Sequence, residues 1–216
     1  MSPRRQIDVV IPAGRARLQG ILSLPQTPRG VVVFAHGSGS GRLSPRNNFV
    51  ARILQEAGMS TLLTDLLEEQ ESLDRQKVFD IDLLAGRLLA NAQWLGEQSE
   101  TRGLLRGYFG ASTGAAAALQ AAAREKSGVA AIVSRGGRPD LAMNYLAMVE
   151  APTLLIVGGE DKPVIPLNEK AYSRLRSTKE LVIVPGASHL FEEPGTLEKA
   201  ALLARDWFSR YFLPQA

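Results

Sequence analysis

The 216-residue sequence predicts an α/β architecture with one mostly parallel sheet of about eight strands, helices on both faces and an antiparallel N-terminal edge. Three observations lead there. From residue 30 onward, short apolar stretches alternate with helix-forming ones, the rhythm of strands joined by helical crossovers. Several of these stretches, Val31-Val32-Val33-Phe34-Ala35 above all, are apolar at every position, as strands buried on both faces are. Before residue 30, Ile7–Ile11 and Arg17–Leu24 flank a Pro-Ala-Gly-Arg turn and form a hairpin at the sheet edge.

The elements follow in order. Pro25 and Pro28 close the hairpin, and the strand at 31–35 leads into the glycine-rich loop His36-Gly37-Ser38-Gly39-Ser40-Gly41. Asn47 or Asn48 can cap a helix that runs through Ala57, with Phe49, Ile53 and Leu54 on one side, and stops at Gly58. Ser60–Thr64 is the next strand, and the acidic stretch Glu68–Gln76 is expected to be an exposed loop. A helix over about Lys77–Gln98 buries Ile81, Leu84, Leu88 and Leu95. Tyr108 and Phe109 end a buried strand; Ala115–Ala123 form a helix because alanine has the highest helix propensity. Val129–Ser134 is a strand, 135–140 a loop and Leu141–Met148 a short helix, a connection with no room for a large cap. Thr153–Val157 and Leu181–Val184 are the last strands, separated by a helix from about Asn168 to Leu175. The final helix, roughly Leu197–Phe212, turns Ala204, Trp207, Phe208 and Tyr211 inward. Glu192 and Glu193 precede it, where the positive end of the helix dipole favours acids. No repeat or linker interrupts the chain, so residues 1–216 are expected to form one domain.

Composition removes several function classes. A chain 45% apolar and 22% charged is of ordinary globular type, with a net charge of +3. Its arginines and lysines are scattered among acids, which speaks against a nucleic-acid surface. Without cysteine there is no disulfide, no thiolate metal site and no thiol nucleophile, and nothing signals an oxidising compartment. The stretch Met1-Ser2-Pro3-Arg4-Arg5-Gln6 precedes a short run broken by Pro12 rather than a leader's apolar core, and no apolar run approaches the ~20 residues a span needs. A soluble, cytoplasmic protein with no membrane or nucleic-acid partner is expected.

The chemistry gathers at Gly110-Ala111-Ser112-Thr113-Gly114, a G-x-S-x-G between a strand and a helix. In this nucleophile elbow the serine sits in a sharp turn whose backbones nearly touch, so its neighbours must be small. The hydroxyl protrudes where the following helix aims its free N–H groups. A serine needs a base, and the base needs an orienting group. Of the two histidines, His189 in the loop beyond the last strand can reach across the strand ends to Ser112. Asp161, its neighbour Glu160 and the earlier Asp140 are the candidate acids. Oxyanion donors are expected in the Thr113 N–H and in the Ser38 N–H of the loop after the third strand, with His36 bracing that loop. The glycines at 37, 39 and 41 lack the spacing of a dinucleotide or phosphate loop.

With these segments in place, the chain resembles the small serine hydrolases of the α/β-hydrolase superfamily, closest to the dienelactone hydrolase-like group. Four segments carry the resemblance: Val32–Gly39, Gly110–Gly114, Leu155–Asp161 and Pro185–Phe191. It implies an α/β-hydrolase fold without a large cap and a catalytic triad of Ser112, Asp161 and His189, the D-x-x-V run of Asp161 and Val164 matching the usual acid loop. It implies no metal or organic cofactor. Dienelactone-cleaving members resemble this pattern with cysteine at the nucleophile, so Ser112 points to a general ester or acyl hydrolase acting on a small molecule. Arg135 and Arg138, on the loop after the sixth strand, are candidates to hold a substrate carboxylate or phosphate, against the plainer reading of a salt bridge with Asp140. Arg42 and Arg46 are weaker candidates of the same kind. A different class of function stays open beside this one: the same fold acting without catalysis, as a ligand-binding or partner-docking protein.

Overall fold

The computed structural model describes residues 5–125 and 128–212. Residues 1–4, the first part of the N-terminal stretch discussed above, lie outside them. Eight strands form one sheet: β1 (Arg5–Ala13), β2 (Ala16–Leu24), β3 (Val31–Ala35), β4 (Ser60–Thr64), β5 (Arg106–Ala111), β6 (Val129–Arg135), β7 (Thr153–Gly158) and β8 (Lys179–Val184). Their spatial order is β1-β2-β4-β3-β5-β6-β7-β8, with β1, β2 and β4 paired antiparallel and every later pair parallel. The expected sheet, with its antiparallel edge, is the observed one.

Side-chain chemistry follows position in the sheet. The central strands β3, β4 and β7 are buried at every residue, which is why their sequences show no alternation. The edge hairpin alternates, and β2 buries Ala16, Leu18 and Leu22 while turning Arg17 and Gln19 outward. Helices α1 (Pro45–Glu56) and α7 (Thr196–Tyr211) cover one face, over Phe34, Phe109, Val133 and Ile156. Helices α4 (Ile81–Glu97), α5 (Thr113–Glu125) and α6 (Ile165–Arg174) cover the other, over Val33, Tyr108, Ile132 and Leu155. The alanines of α5 let it lie almost against the sheet: a Cβ on Gly110 would stand 2.4 Å from the Ala115 Cα.

The strand order places the site. From β3 the chain moves outward to β4, then returns past β3 to β5. At such a reversal the loops leaving two neighbouring strands diverge to opposite faces, and a crevice opens at their carboxyl ends. Here the crevice lies between the loop after β3 and the start of α5.

Several local expectations are corrected. Helix α1 begins a turn early, because Ser44 accepts the Asn47 N–H and Pro45 occupies the first helical position. Asn47 is then buried and Asn48 lies inside the helix, and the buried stripe is Asn47, Val50, Ala51 and Leu54. The acidic stretch is no open loop. It contains two short helices, α2 (Glu69–Ser72) and α3 (Arg75–Val78), held by Glu71, which accepts from Lys77 at 3.3 Å and from the buried Arg87 of α4 at 3.1 Å. Arg87 also donates to the Ala13 carbonyl at 2.9 Å, so one guanidinium ties α2 to α4 and the hairpin. Helix α4 starts at Ile81 with Asp80 as its cap, four residues later than the sequence reading. The short helix expected at Leu141–Met148 is instead a pair of 3-10 turns, Pro139–Ala142 and Leu146–Met148.

Candidate active site

Ser112 stands between β5 and α5 with φ of 51°, a left-handed conformation rare outside glycine and one the elbow imposes. The turn is fastened on both sides: the Ser112 N–H donates to the Arg135 carbonyl, and the Ser112 carbonyl accepts from Ala115 and Arg138. Gly114 cannot carry a side chain here, since its Cβ would lie 2.1 Å from the Ala35 carbonyl oxygen. Gly37 is under the same constraint, for its Cβ would come within 2.9 Å of the Ser112 Cβ. The loop after β3 thus passes directly beside the hydroxyl.

His189 comes from the loop after β8, and its Nε2 lies 3.4 Å from Ser112 Oγ. Its Nδ1 lies 2.6 Å from Asp161 Oδ2. Asp161, in the loop after β7, is 8% exposed, so this contact is sheltered from solvent. The three residues named from the sequence are therefore assembled in one line from three strand ends. The rival acids are accounted for. Glu160 is exposed beside Lys162, and Asp140 accepts two bonds from Arg138, Nε and Nη2, at 2.8 Å each.

Two features of the His189 loop escaped the sequence reading. Glu193 accepts the Ser188 N–H at 2.9 Å, a bond that also lowers the glutamate's pKa. Glu192 pairs with Arg46 on α1 at 3.2 Å. Both acids therefore pin the loop that carries the imidazole; neither simply introduces α7, which opens at Gly195. Phe191, buried with φ of 57°, anchors the same loop. Nothing in the local sequence marks these bonds, which depend on groups the fold brings together.

The loop after β3 that carries Ser38 is held from both sides. His36 braces it: Nδ1 donates to the Gly37 carbonyl at 3.0 Å, and Nε2 accepts the Leu66 N–H at 2.9 Å. Asp65 at the end of β4 holds the loop's far side through the Arg42 N–H and guanidinium. The Thr113 N–H is among the first of α5, a group a helix leaves without an internal partner. The Ser38 N–H donates to Thr113 Oγ1 at 3.1 Å. Burial lowers the His36 pKa below its ordinary 6.5, with the Gly37 bond and Asp65 opposing part of the shift. The unfolded chain then binds the proton more readily than the folded one, so stability falls as pH drops below about 6.5 toward the folded value. Thermal melts at pH 7.5 and 5 should show this, and His36→Gln should show a shallower loss on acidification. Parallel acid slopes for the two proteins would sink the assignment.

Arg135 is not on a loop but is the last residue of β6, 6% exposed. Its Nε and Nη1 are buried without a hydrogen-bond partner among the described residues. The guanidinium carbon lies 5.9 Å from the Phe191 ring centroid. Desolvation, with the charge of Arg46 nearby, lowers its pKa to about 10, so it remains a cation at neutral pH. Arg138 is occupied by Asp140, and Arg42 by Asp65.

Beside Ser38 and Thr113 opens a cleft of about 620 Å³, floored by Leu67, Val78 and Leu84 and rimmed by Arg17, Arg42 and Glu69. Part of its wall is the α2–α3 segment, so a stretch expected to be plain solvent-exposed loop shapes the site. Among the described residues, no group of three His, Asp or Glu side chains could hold a metal ion, and no helix is long and apolar enough to cross a membrane.

This strand order, with a serine elbow after β5 and an imidazole beyond β8, defines an α/β-hydrolase fold without a large cap. Residues 18–212 match the model of the dienelactone hydrolase family, and the chain belongs to that family. A dienelactone hydrolase from Anabaena variabilis shares 53% identity and superposes with a TM-score of 0.94, over 96% of this chain and 98% of that one. An α/β serine hydrolase from Xanthomonas campestris, described as having no lid, is 20% identical with a TM-score of 0.79, covering 99% and 98% of the two chains, a likeness of fold. A Mycobacterium tuberculosis protein with a provisional phosphoribosyl transferase name is 56% identical over 206 residues, which are 95% of this chain and 46% of that protein. The chain spans less than half the length of that relative. The family model and the Anabaena structure are both those of hydrolases.

Proposed function

We propose that the protein is a serine hydrolase that cleaves an ester or related acyl bond of a small molecule through an acyl-enzyme. The observation that carries this is the line from Ser112 through His189 to Asp161, with contacts of 3.4 Å and 2.6 Å. Ser112 Oγ attacks the acyl carbon while His189 Nε2 takes its proton. The same nitrogen returns the proton to the departing alcohol, and Asp161 fixes the tautomer and balances the imidazolium charge. Water then attacks the acyl carbon as His189 takes its proton; the bond from the acyl carbon to Ser112 Oγ breaks, His189 returns that proton to Oγ, and the acid leaves. The Oγ–Nε2 contact is long for a hydrogen bond, and such contacts commonly tighten when substrate binds. Donors on the Thr113 and Ser38 side of the carbon stabilise the developing oxyanion. The resemblance implies a cysteine nucleophile in dienelactone-cleaving members, so Ser112 supports ester rather than dienelactone chemistry. A fluorophosphonate probe tests the reading: it should modify Ser112 in the wild type and nothing in Ser112→Ala. An unlabelled wild type would return the protein to the non-catalytic binding class. We assign none of the transferase activity named for the longer relative to this chain.

The buried Arg135 adds a finer part to the reading, a substrate bearing a carboxylate or phosphate. A cation with two unsatisfied donors is costly to keep from water, and an anionic group would satisfy it. Arg135, rather than the Asp140-bound Arg138, is the residue for this role. The expected result is a kcat/KM for mono-p-nitrophenyl glutarate about 10- to 100-fold above that for the neutral p-nitrophenyl pentanoate. Arg135→Gln should abolish that preference. Equal rates on the two esters in the wild type would end the idea.

A further inference from the structure

The Ser38 N–H, named from the sequence as an oxyanion donor, is already engaged by Thr113 Oγ1 at 3.1 Å. That hydroxyl therefore occupies the place where a substrate oxygen would have to sit to reach Ser38 directly. Thr113 is 4% exposed and lines the cleft beside the nucleophile. A hydroxyl offers one proton and two lone pairs. One lone pair takes the Ser38 N–H, which leaves the hydroxyl's own proton to be donated elsewhere.

We propose that the Thr113 hydroxyl is itself a catalytic oxyanion donor, with Ser38 acting through it rather than on the substrate. This rests on the acyl-hydrolase reading above. The N–H and the hydroxyl of one residue, immediately after the nucleophile, then converge on the same oxygen. Both are fixed by the first turn of α5 and by the elbow, so neither has to be ordered when the oxyanion forms. The Ser38 N–H behind the hydroxyl polarises it, and a donor that itself accepts a hydrogen bond is a stronger donor. When the tetrahedral carbon collapses, the hydroxyl keeps its proton; no bond to Thr113 is made or broken. The opposite arrangement is a plug: the hydroxyl covers Ser38 at rest and swings away when substrate arrives.

The two arrangements predict opposite signs for one substitution. Thr113→Val keeps the branched shape, removes the hydroxyl and leaves the Ser38 N–H open. If the hydroxyl is a donor, kcat on a p-nitrophenyl ester falls about 10- to 100-fold with KM within about 3-fold of wild type. The Ki of phenylboronic acid, whose adduct on Ser112 puts an oxygen in the same place, rises in parallel. Thr113→Ser restores both to within about 3-fold of wild type. Thr113→Ala carries the same expectation where the valine variant does not fold. Turnover by Thr113→Val at or above the wild-type rate would overturn the proposal in favour of the plug. An equal loss in Thr113→Ser would overturn it too, because the hydroxyl would then not be the cause. Fluorophosphonate labelling of wild-type Ser112 separates these outcomes from failure of the hydrolase reading, which would show as an unlabelled serine and would take this inference with it.

Discussion

Ser112→Ala is expected to lower ester turnover by about 10⁴-fold or more and to leave the fold intact. The substitution removes one oxygen whose recorded side-chain contact is the 3.4 Å approach to His189, so little packing is lost. The elbow keeps its fastening, since the bonds of Ser112 to Arg135, Ala115 and Arg138 are all made by backbone atoms. What activity remains would come from water attacking a carbonyl already polarised by the donors at Thr113. Steady-state rates on p-nitrophenyl esters of increasing chain length, beside thioesters and lactones, would measure the loss and report acyl preference in the same experiment. Circular dichroism melts would confirm the intact fold. A variant within about tenfold of wild type would remove Ser112 from the mechanism.

Asp161→Asn should cost nearly as much, about 10⁴-fold in kcat, for a different reason. The carboxylate accepts from His189 Nδ1 at 2.6 Å, which puts the imidazole proton on that nitrogen and leaves Nε2 free to take the serine proton. A carboxamide can present its NH₂ to Nδ1 instead, which moves the ring proton to Nε2, where it faces Ser112 and blocks proton transfer. Asparagine fills the same volume in a site 8% exposed, so KM and melting temperature should change far less than kcat. A pH–rate profile measures this: the variant should recover only where hydroxide replaces the base. Wild-type turnover near neutrality would exclude Asp161 as the orienting acid.

The strand ends of this protein are written plainly in its sequence because each has its own local signature. An apolar run followed by His36-Gly37, a G-x-S-x-G before an alanine helix, and histidine after the last strand each follow from short-range chemistry and point to Ser112 and His189; Asp161 has two acidic rivals in the sequence, and its 2.6 Å contact with His189 is what singles it out. The missed features depend on partners distant in the chain. Glu71 appears to sequence inspection as one acid among several, and becomes an anchor only when α4 brings Arg87 to it, 16 residues on. Helices of four residues are also too short to show a period. Glu193 belongs with His189 through one backbone N–H. Arg135 looked like a loop residue because Gly136-Gly137 follows it, whereas its backbone continues β6 through pairing with Ala111 and Ile156. The Ser44 cap has a local signature of its own: a serine directly before proline is a strong helix start, and Pro45 at the first helical position outweighs Asn47 and Asn48 as caps.

The imidazole hangs from β8, which closes the sheet order and, among the described residues, is hydrogen-bonded on one side only, to β7. Its residues are half-exposed along most of their length, unlike those of β5 and β7, which carry the other two groups. Margins of a sheet loosen before its middle does. Warming should therefore detach the proton carrier while nucleophile and carboxylate still sit on firm ground, and the molecule would fall silent before it comes apart, regaining its voice on cooling.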